Sequence, residues 1–292
     1  MFTHLLEKLP LSSQSQTSQN RKDGAIAQQL LKGTAAFWFV SVLIGQWLFF
    51  YYIMSFYGFS VITDNMEIWN RWEPLGSKPY EKGDTGGNLA FAFHTIGAGI
   101  IAFGGALQLF PQIRNKFPTF HKINGYVYLL TVLFLALSGF YLVWVRGNSP
   151  DVHSAIGTTI NGFLILGFAF MALYCVKKRD IKHHRQWAMR LYLVSNAQWF
   201  LRVGTFGYLI GGSILSMNPG FGDLFFSLWT FGCYVLPLAA LQLYFYAMGT
   251  RSAIVKYATC GALAGLTVFM ITGLIGLTPF LQKIVNGEAI SL

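Results

Sequence analysis

A succession of apolar blocks, each about as long as a bilayer crossing, constrains this chain more than any other feature. A hydrocarbon core of ~30 Å is crossed by roughly 20 helical residues. The sequence supplies seven such blocks, over residues 34–57, 88–111, 121–145, 152–176, 186–212, 224–248 and 254–279. No water is present at that depth to serve the backbone, so each block must close its own hydrogen bonds as a helix. The predicted fold class is an all-α integral membrane protein, a seven-helix transmembrane bundle. Composition agrees: 11% of the 292 residues are charged, against about 25% in soluble domains.

Charge in the connections sets the orientation. With the N-terminus inside, fifteen of the 21 Lys and Arg residues fall on cytoplasmic segments and five on external ones; Arg202 lies within a block. Basic residues concentrate on the cytoplasmic side of membrane proteins, which predicts N-terminus in and C-terminus out. Three regions follow: a cytoplasmic tail over 1–32, a membrane domain over 33–282 and an external tail over 283–292. The apolar stretch from Leu5 to Leu11 is broken by Glu7, Lys8 and Pro10, so it does not read as a signal peptide. A short surface helix is expected near 25–31. The one long connection, 58–87, carries Trp69 and Trp72 and predicts a short helix on the outer leaflet with its tryptophans at headgroup level.

The net charge of +10 is accounted for by these loops and does not point to nucleic acid; the expected partner is the lipid bilayer. Cys175, Cys233 and Cys260 are far apart in sequence and suggest neither a disulfide framework nor a thiolate metal site. There is no glycine-rich phosphate loop, nucleophile elbow or HExxH motif. Gly261 and Gly265 form a small-xxx-small pair that predicts a close helix crossing.

Histidine placement carries the chemistry. His94, His121, His153 and His184 fall near the starts of four successive spans. Because spans alternate in direction, His94 and His153 belong to the outer side, His121 and His184 to the inner. Ser149-Pro150 reads as an N-cap followed by proline at the first helical position, which sets His153 one turn in. A small residue follows each histidine by four: Ala98, Gly125, Gly157 and Ala188, with Gly97 nearby. Positions four apart share a helix face, so a flat ligand would find little bulk beside each imidazole; tight helix packing uses the same spacing. Imidazole is a common axial ligand of haem iron, and copper or zinc also suits it. Lys122, Arg185 and Arg190 inside, with Arg202 and Arg146 outside, are the cations available to haem propionates. Structural or proton-relay histidines are the other reading.

Gln108, Arg114, the run His121-Lys122-Ile123-Asn124-Gly125 and the run His184-Arg185-Gln186-Trp187-Ala188-Met189-Arg190 resemble an uncharacterised family of bacterial multi-pass membrane proteins with HxxxG and HRxWxxR motifs. That resemblance implies a bacterial inner (plasma) membrane location but no activity. Four histidines on the second to fifth spans also resemble, in layout, the di-haem cytochrome b-561 type. The implied function is electron transfer across the membrane. Two b haems, one ligated by His94 and His153 and one by His121 and His184, would work between a quinol or cytoplasmic donor and an external redox partner. The protein would act alone or as an oxidoreductase subunit beside other membrane subunits. The alternative is a non-redox transporter, sensor or assembly factor whose histidines titrate or bind metal.

The charge split has a direct test. Reporter fusions after Arg179 are expected to score cytoplasmic and fusions at Leu292 external; an external score after Arg179 inverts the bundle.

Overall fold

The computed structural model describes residues 11–71, 79–220 and 223–288, with side chains described from residue 23 onward. Trp72 of the expected outer-leaflet helix and the stretch before Leu11 lie outside the described residues. The described residues are helical with short connections: α1 (Leu11–Ile53), α2 (Thr85–Leu109), α3 (Pro111–Lys116), α4 (Pro118–Trp144), α5 (Val152–Lys177), α6 (Ile181–Ser195), α7 (Ala197–Ile214), α8 (Leu224–Gly249) and α9 (Ala253–Asn286). Among the described residues, six helices are long and apolar enough to cross a membrane: 23–62, α2, α4, α5, α8 and α9. The fifth expected block is divided. Its backbone breaks at Asn196 (φ −102°, ψ 13°), between α6 and α7. Asn196 is buried, and its Nδ2 donates to the Tyr192 carbonyl at 2.8 Å, an oxygen that Ser195 Oγ also serves at 3.2 Å.

Helix starts follow carboxylates. Asp84 accepts from Gly87 N at 2.8 Å, Asp151 from Ser154 N at 2.9 Å and Asp180 from His183 N at 3.2 Å. Aspartate is among the best N-caps because its oxygens take the unpaired N–H groups of the first turn. The cap of α5 is therefore Asp151 and not Ser149, and Pro150 precedes the helix. His153 is the second residue of α5, not one turn in. At the other end of the sequence, α1 already runs from Leu11, so the segment 25–31 is part of a long continuous helix and not a separate surface helix.

The chain divides into two compact units. The first comprises residues 1–41 and 239–268. Its core joins Leu31, Ala247, Cys260 and Leu263, with Ala35, Tyr244 and Met248 packed against them. Gly261 and Gly265 have no neighbour within 4 Å of a would-be Cβ. The close crossing expected of them is absent among the described residues.

The second unit comprises residues 42–238 and 269–292. Here α7 and α9 approach closely: Gly273 lies against the Val203 carbonyl and Gly207 against Phe269. Beyond Ile53 the first helix passes through a π-helical turn, Met54–Gly58, to a last α-turn ending at Ile62. The following connection contains a 3-10 helix, Met66–Arg71. Its Trp69 does not reach outward to lipid headgroups. It is 1% exposed, donates from Nε1 to Ser60 Oγ at 2.5 Å and packs on Tyr57 and Phe91. The indole N–H finds its partner on the preceding helix, and that contact draws the ring inward.

Arg146 closes the same end. Its side chain is 4% exposed, pairs with Asp84 at 3.0 Å and donates to the Pro79 carbonyl (3.0 Å) and Asn88 Oδ1 (2.6 Å). Asn88 in turn donates to the Glu81 carbonyl and accepts from Glu81 N. The start of α2, the end of α4 and the 79–84 segment thus share one guanidinium. Removing one partner of a buried, hydrogen-bonded ion pair costs about 3–5 kcal/mol. Arg146→Ala is therefore expected to lower the melting temperature of the purified protein sharply, while Lys82→Ala, a nearby exposed lysine, leaves it unchanged. Equal melting temperatures for Arg146→Ala and wild type would contradict the clamp.

Candidate functional site

Two polar clusters in the second unit contain the histidines. The first lies at the basic end, where residues 110–117 join α2 to α4 and residues 178–180 join α5 to α6. His121 and His184 each stand three residues into their helices, α4 and α6, so both sit ~5 Å from the helix start at 1.5 Å per residue. They lie within electrostatic range of one another, and Arg114 adjoins His121. His184 Nδ1 hydrogen-bonds the Ala172 carbonyl at 2.8 Å. A carbonyl only accepts, so Nδ1 carries the proton and Nε2 keeps its lone pair, the tautomer that metal-ligating histidines adopt. His121 Nδ1 is buried without a hydrogen-bond partner. Arg114 and Arg185 are close enough to interact, and Arg114 holds its proton less tightly than usual, through burial first and Arg185 second. Among the described residues neither has an ion-pair partner.

Of the other expected cations, Lys122 and Arg185 are exposed at this end. Arg190 lies over the Trp187 ring, 4.7 Å from its centroid. His183 is exposed and bound to Asp180 at 2.6 Å. Hydrogen bonds from His183 N and from its ring hold the Asp180 carboxyl below the usual range.

The second cluster surrounds His94, nine residues into α2. His94 Nδ1 meets Ser138 Oγ at 2.8 Å, and Ser138 Oγ meets the Leu135 carbonyl at 3.3 Å. If the hydroxyl donates to that carbonyl, it accepts from Nδ1–H, and Nε2 is again the free nitrogen. Arg202 lies within electrostatic range of His94, Tyr52 and Tyr57. Its guanidinium sits 5.5 Å from the Phe49 ring and donates to the Gln198 carbonyl at 2.8 Å. Tyr57 belongs to the π-helical turn, a distortion frequent at functional sites.

No contact joins His94 to His153 among the described residues. His153 stands at the start of α5 with its side chain 63% exposed, 3.6 Å from Asp151. It is ~12 Å shallower than His94, counted along the two helices. Burial raises the pKa of Asp151, but hydrogen bonds from Ser154 and His153 and the nearby His153 ring together outweigh it, and the carboxyl is held low. Arg146, the other expected outer cation, is already committed to Asp84 and Asn88.

The glycines beside the histidines serve helix packing. A Cβ on Gly97 would meet Leu135, one on Gly125 the Gln108 amide, and one on Gly157 the Thr230 side chain and carbonyl. Pattern reading missed a further set of polar side chains around the α6–α7 break. Tyr192 OH donates to Gln46 Oε1 at 2.7 Å and Tyr128 OH meets Ser195 Oγ at 2.5 Å. Gln46 in the middle of the first apolar block was the available signal.

Residues 91–217 match a family model described as "Predicted membrane protein (DUF2306)". This is a membrane protein. The matched stretch contains all four candidate histidines, in agreement with the resemblance to an uncharacterised multi-pass family. No curated protein and no solved structure matches the chain.

The packing role of the glycines is open to measurement. Gly157→Ala is expected to destabilise the protein by about 1–3 kcal/mol, the usual range for overpacking, because the new Cβ would meet the Thr230 Cγ2 methyl and crowd the Thr230 carbonyl. Gly125→Ala is expected to be neutral, since the nearest atom is 3.5 Å from the new Cβ. Thermal unfolding of the two variants in one detergent compares them. A stable Gly157→Ala protein would return that glycine to the list of ligand-facing positions.

Proposed function

We propose that this protein is an inner-membrane electron carrier that holds a b-type haem between His121 and His184. The observation that carries the reading is the inner pair itself: equal depth, one imidazole with its Nδ1–H tied to a carbonyl, and the other with a buried nitrogen lacking a partner. When bound, the haem would supply a one-electron couple in the membrane. Arg114, Arg185, Lys122 and Arg190 would offset propionate charge. The carbonyl of Ala172 would fix the His184 ring.

The reading is of one bis-histidine haem and not two, because His94 and His153 differ in depth and exposure. On the outer side His94, Arg202, Tyr52 and Tyr57 form the polar surface against which a quinol or an external redox partner would exchange electrons and protons. The arrangement in the membrane that suits this is seven crossings, N-terminus in and C-terminus out, with α6 and α7 together forming the fifth. Copper or zinc at the same inner pair is the second metal reading, since two imidazoles also suit those ions. A non-redox role is favoured by one observation, the use of the histidine-flanking glycines for packing.

The purified protein is expected to show a Soret band and, on reduction, a b-type α-band. His121→Ala and His184→Ala each abolish it, and His153→Ala retains it. A colourless protein from haem-replete cells overturns the haem reading; elemental analysis of the same sample then reports copper or zinc. Retention of the spectrum in both inner variants, with loss in His94→Ala, moves the site to the outer cluster.

A further inference from the structure

Between α5, α7 and α8 the second unit holds a partly open cleft of about 20 Å3. Ser154, Thr158, Asn161, Gln198, Cys233 and Tyr234 are among the side chains that line it. Two of them are buried polar groups with nothing to bond. Asn161 is 6% exposed and its Oδ1 has no partner; Tyr234 is 2% exposed and its hydroxyl has none. Asn161 lies nine residues into α5, ~14 Å along the helix. A buried amide oxygen or hydroxyl left unpaired costs about 1–3 kcal/mol, and two such groups facing one small space call for a shared occupant.

We propose that this cavity is a binding site for one water molecule, bridging Asn161 Oδ1 and Tyr234 OH and fastening α5 to α8 beside the start of α7. The size fits, since a single water needs about 10–15 Å3 of such space and two to four polar partners. The chemistry fits as well. Asn161 Oδ1 requires a donor and the phenol takes either role, and water supplies both. A metal cation is disfavoured, because no carboxylate lines the cavity and the α7 N-terminus at Ala197 carries positive partial charge. The outer approach runs past Ser154, whose Oγ donates to Asp151 Oδ2 at 2.9 Å. None of this depends on haem.

Radiolytic footprinting of the full-length protein in nanodiscs, in 18O-labelled water, tests the site directly. Hydroxyl radicals generated at a bound water label the side chain beside it. Tyr234 is expected to gain 18O severalfold faster than Tyr128, which is also buried, though slightly more exposed (8% against 2%), and already bonded to Ser195. Equal, slow labelling of the two overturns the proposal. A double-mutant cycle gives a second reading. The drop in melting temperature for Asn161→Leu with Tyr234→Phe should be smaller than the two single drops added, because the double variant leaves no orphaned partner. Additive drops overturn a shared occupant. A melting temperature that rises with sodium or potassium but not with choline overturns water in favour of an ion. If Asn161→Leu fails to fold, the footprint of the unaltered protein still decides.

Discussion

Every polar group that enters a bilayer must find its partner within the protein, and the rest of this structure is arranged around that requirement. Backbone groups meet it by forming helices. Three helix starts meet it with aspartate caps. Arg146 meets it by collecting a carboxylate, an amide oxygen and a main-chain carbonyl at one end of the second unit. Even the interruption of the fifth block obeys the rule, because Asn196 turns its amide onto the Tyr192 carbonyl.

That economy makes the exceptions informative. Among the described residues, the buried polar atoms with no partner include Gln46 Nε2, Trp199 Nε1, His121 Nδ1, Asn161 Oδ1 and Tyr234 OH. Leaving such atoms unpaired is costly, so they are the places to look for a further partner. His121 stands beside His184 at the basic end, which suits a metal-bearing cofactor. Asn161 and Tyr234 share a cavity of water size. The two groups call for different occupants because one site is rimmed by cations and imidazoles and the other by neutral donors and acceptors.

The histidine pattern shows where reading along the chain succeeds and where it stops. The alternating direction of the spans paired His121 with His184 and His94 with His153. In the structure His121 and His184 each stand three residues into their helices, while α2 and α5 start at other residues than Asn88 and Ser149 suggested. With Asp84 and Asp151 as caps, His94 moves deeper and His153 moves to the surface. Errors of three residues are small in sequence and amount to ~5 Å along a helix. That is enough to separate two ligands. Glycine spacing was ambiguous for a related reason: a bare helix face accepts a flat ligand or a neighbouring helix equally well, and only the neighbour's position decides.

The sequence by itself determined that the chain is helical and membrane-embedded, and where most of its apolar segments run. Those properties follow from local length and hydropathy, which each segment carries without reference to the others. The likeness to an uncharacterised membrane family was also legible along the chain, and a family model matches residues 91–217. Only the tertiary structure decided that Trp69 turns inward, that Arg146 is a clamp and not a free cation, that Gly157 receives Thr230, and that the fifth block breaks at Asn196. Each of these depends on which side chain from a distant segment arrives at a given depth, and a periodicity of 3.6 residues carries no information about that.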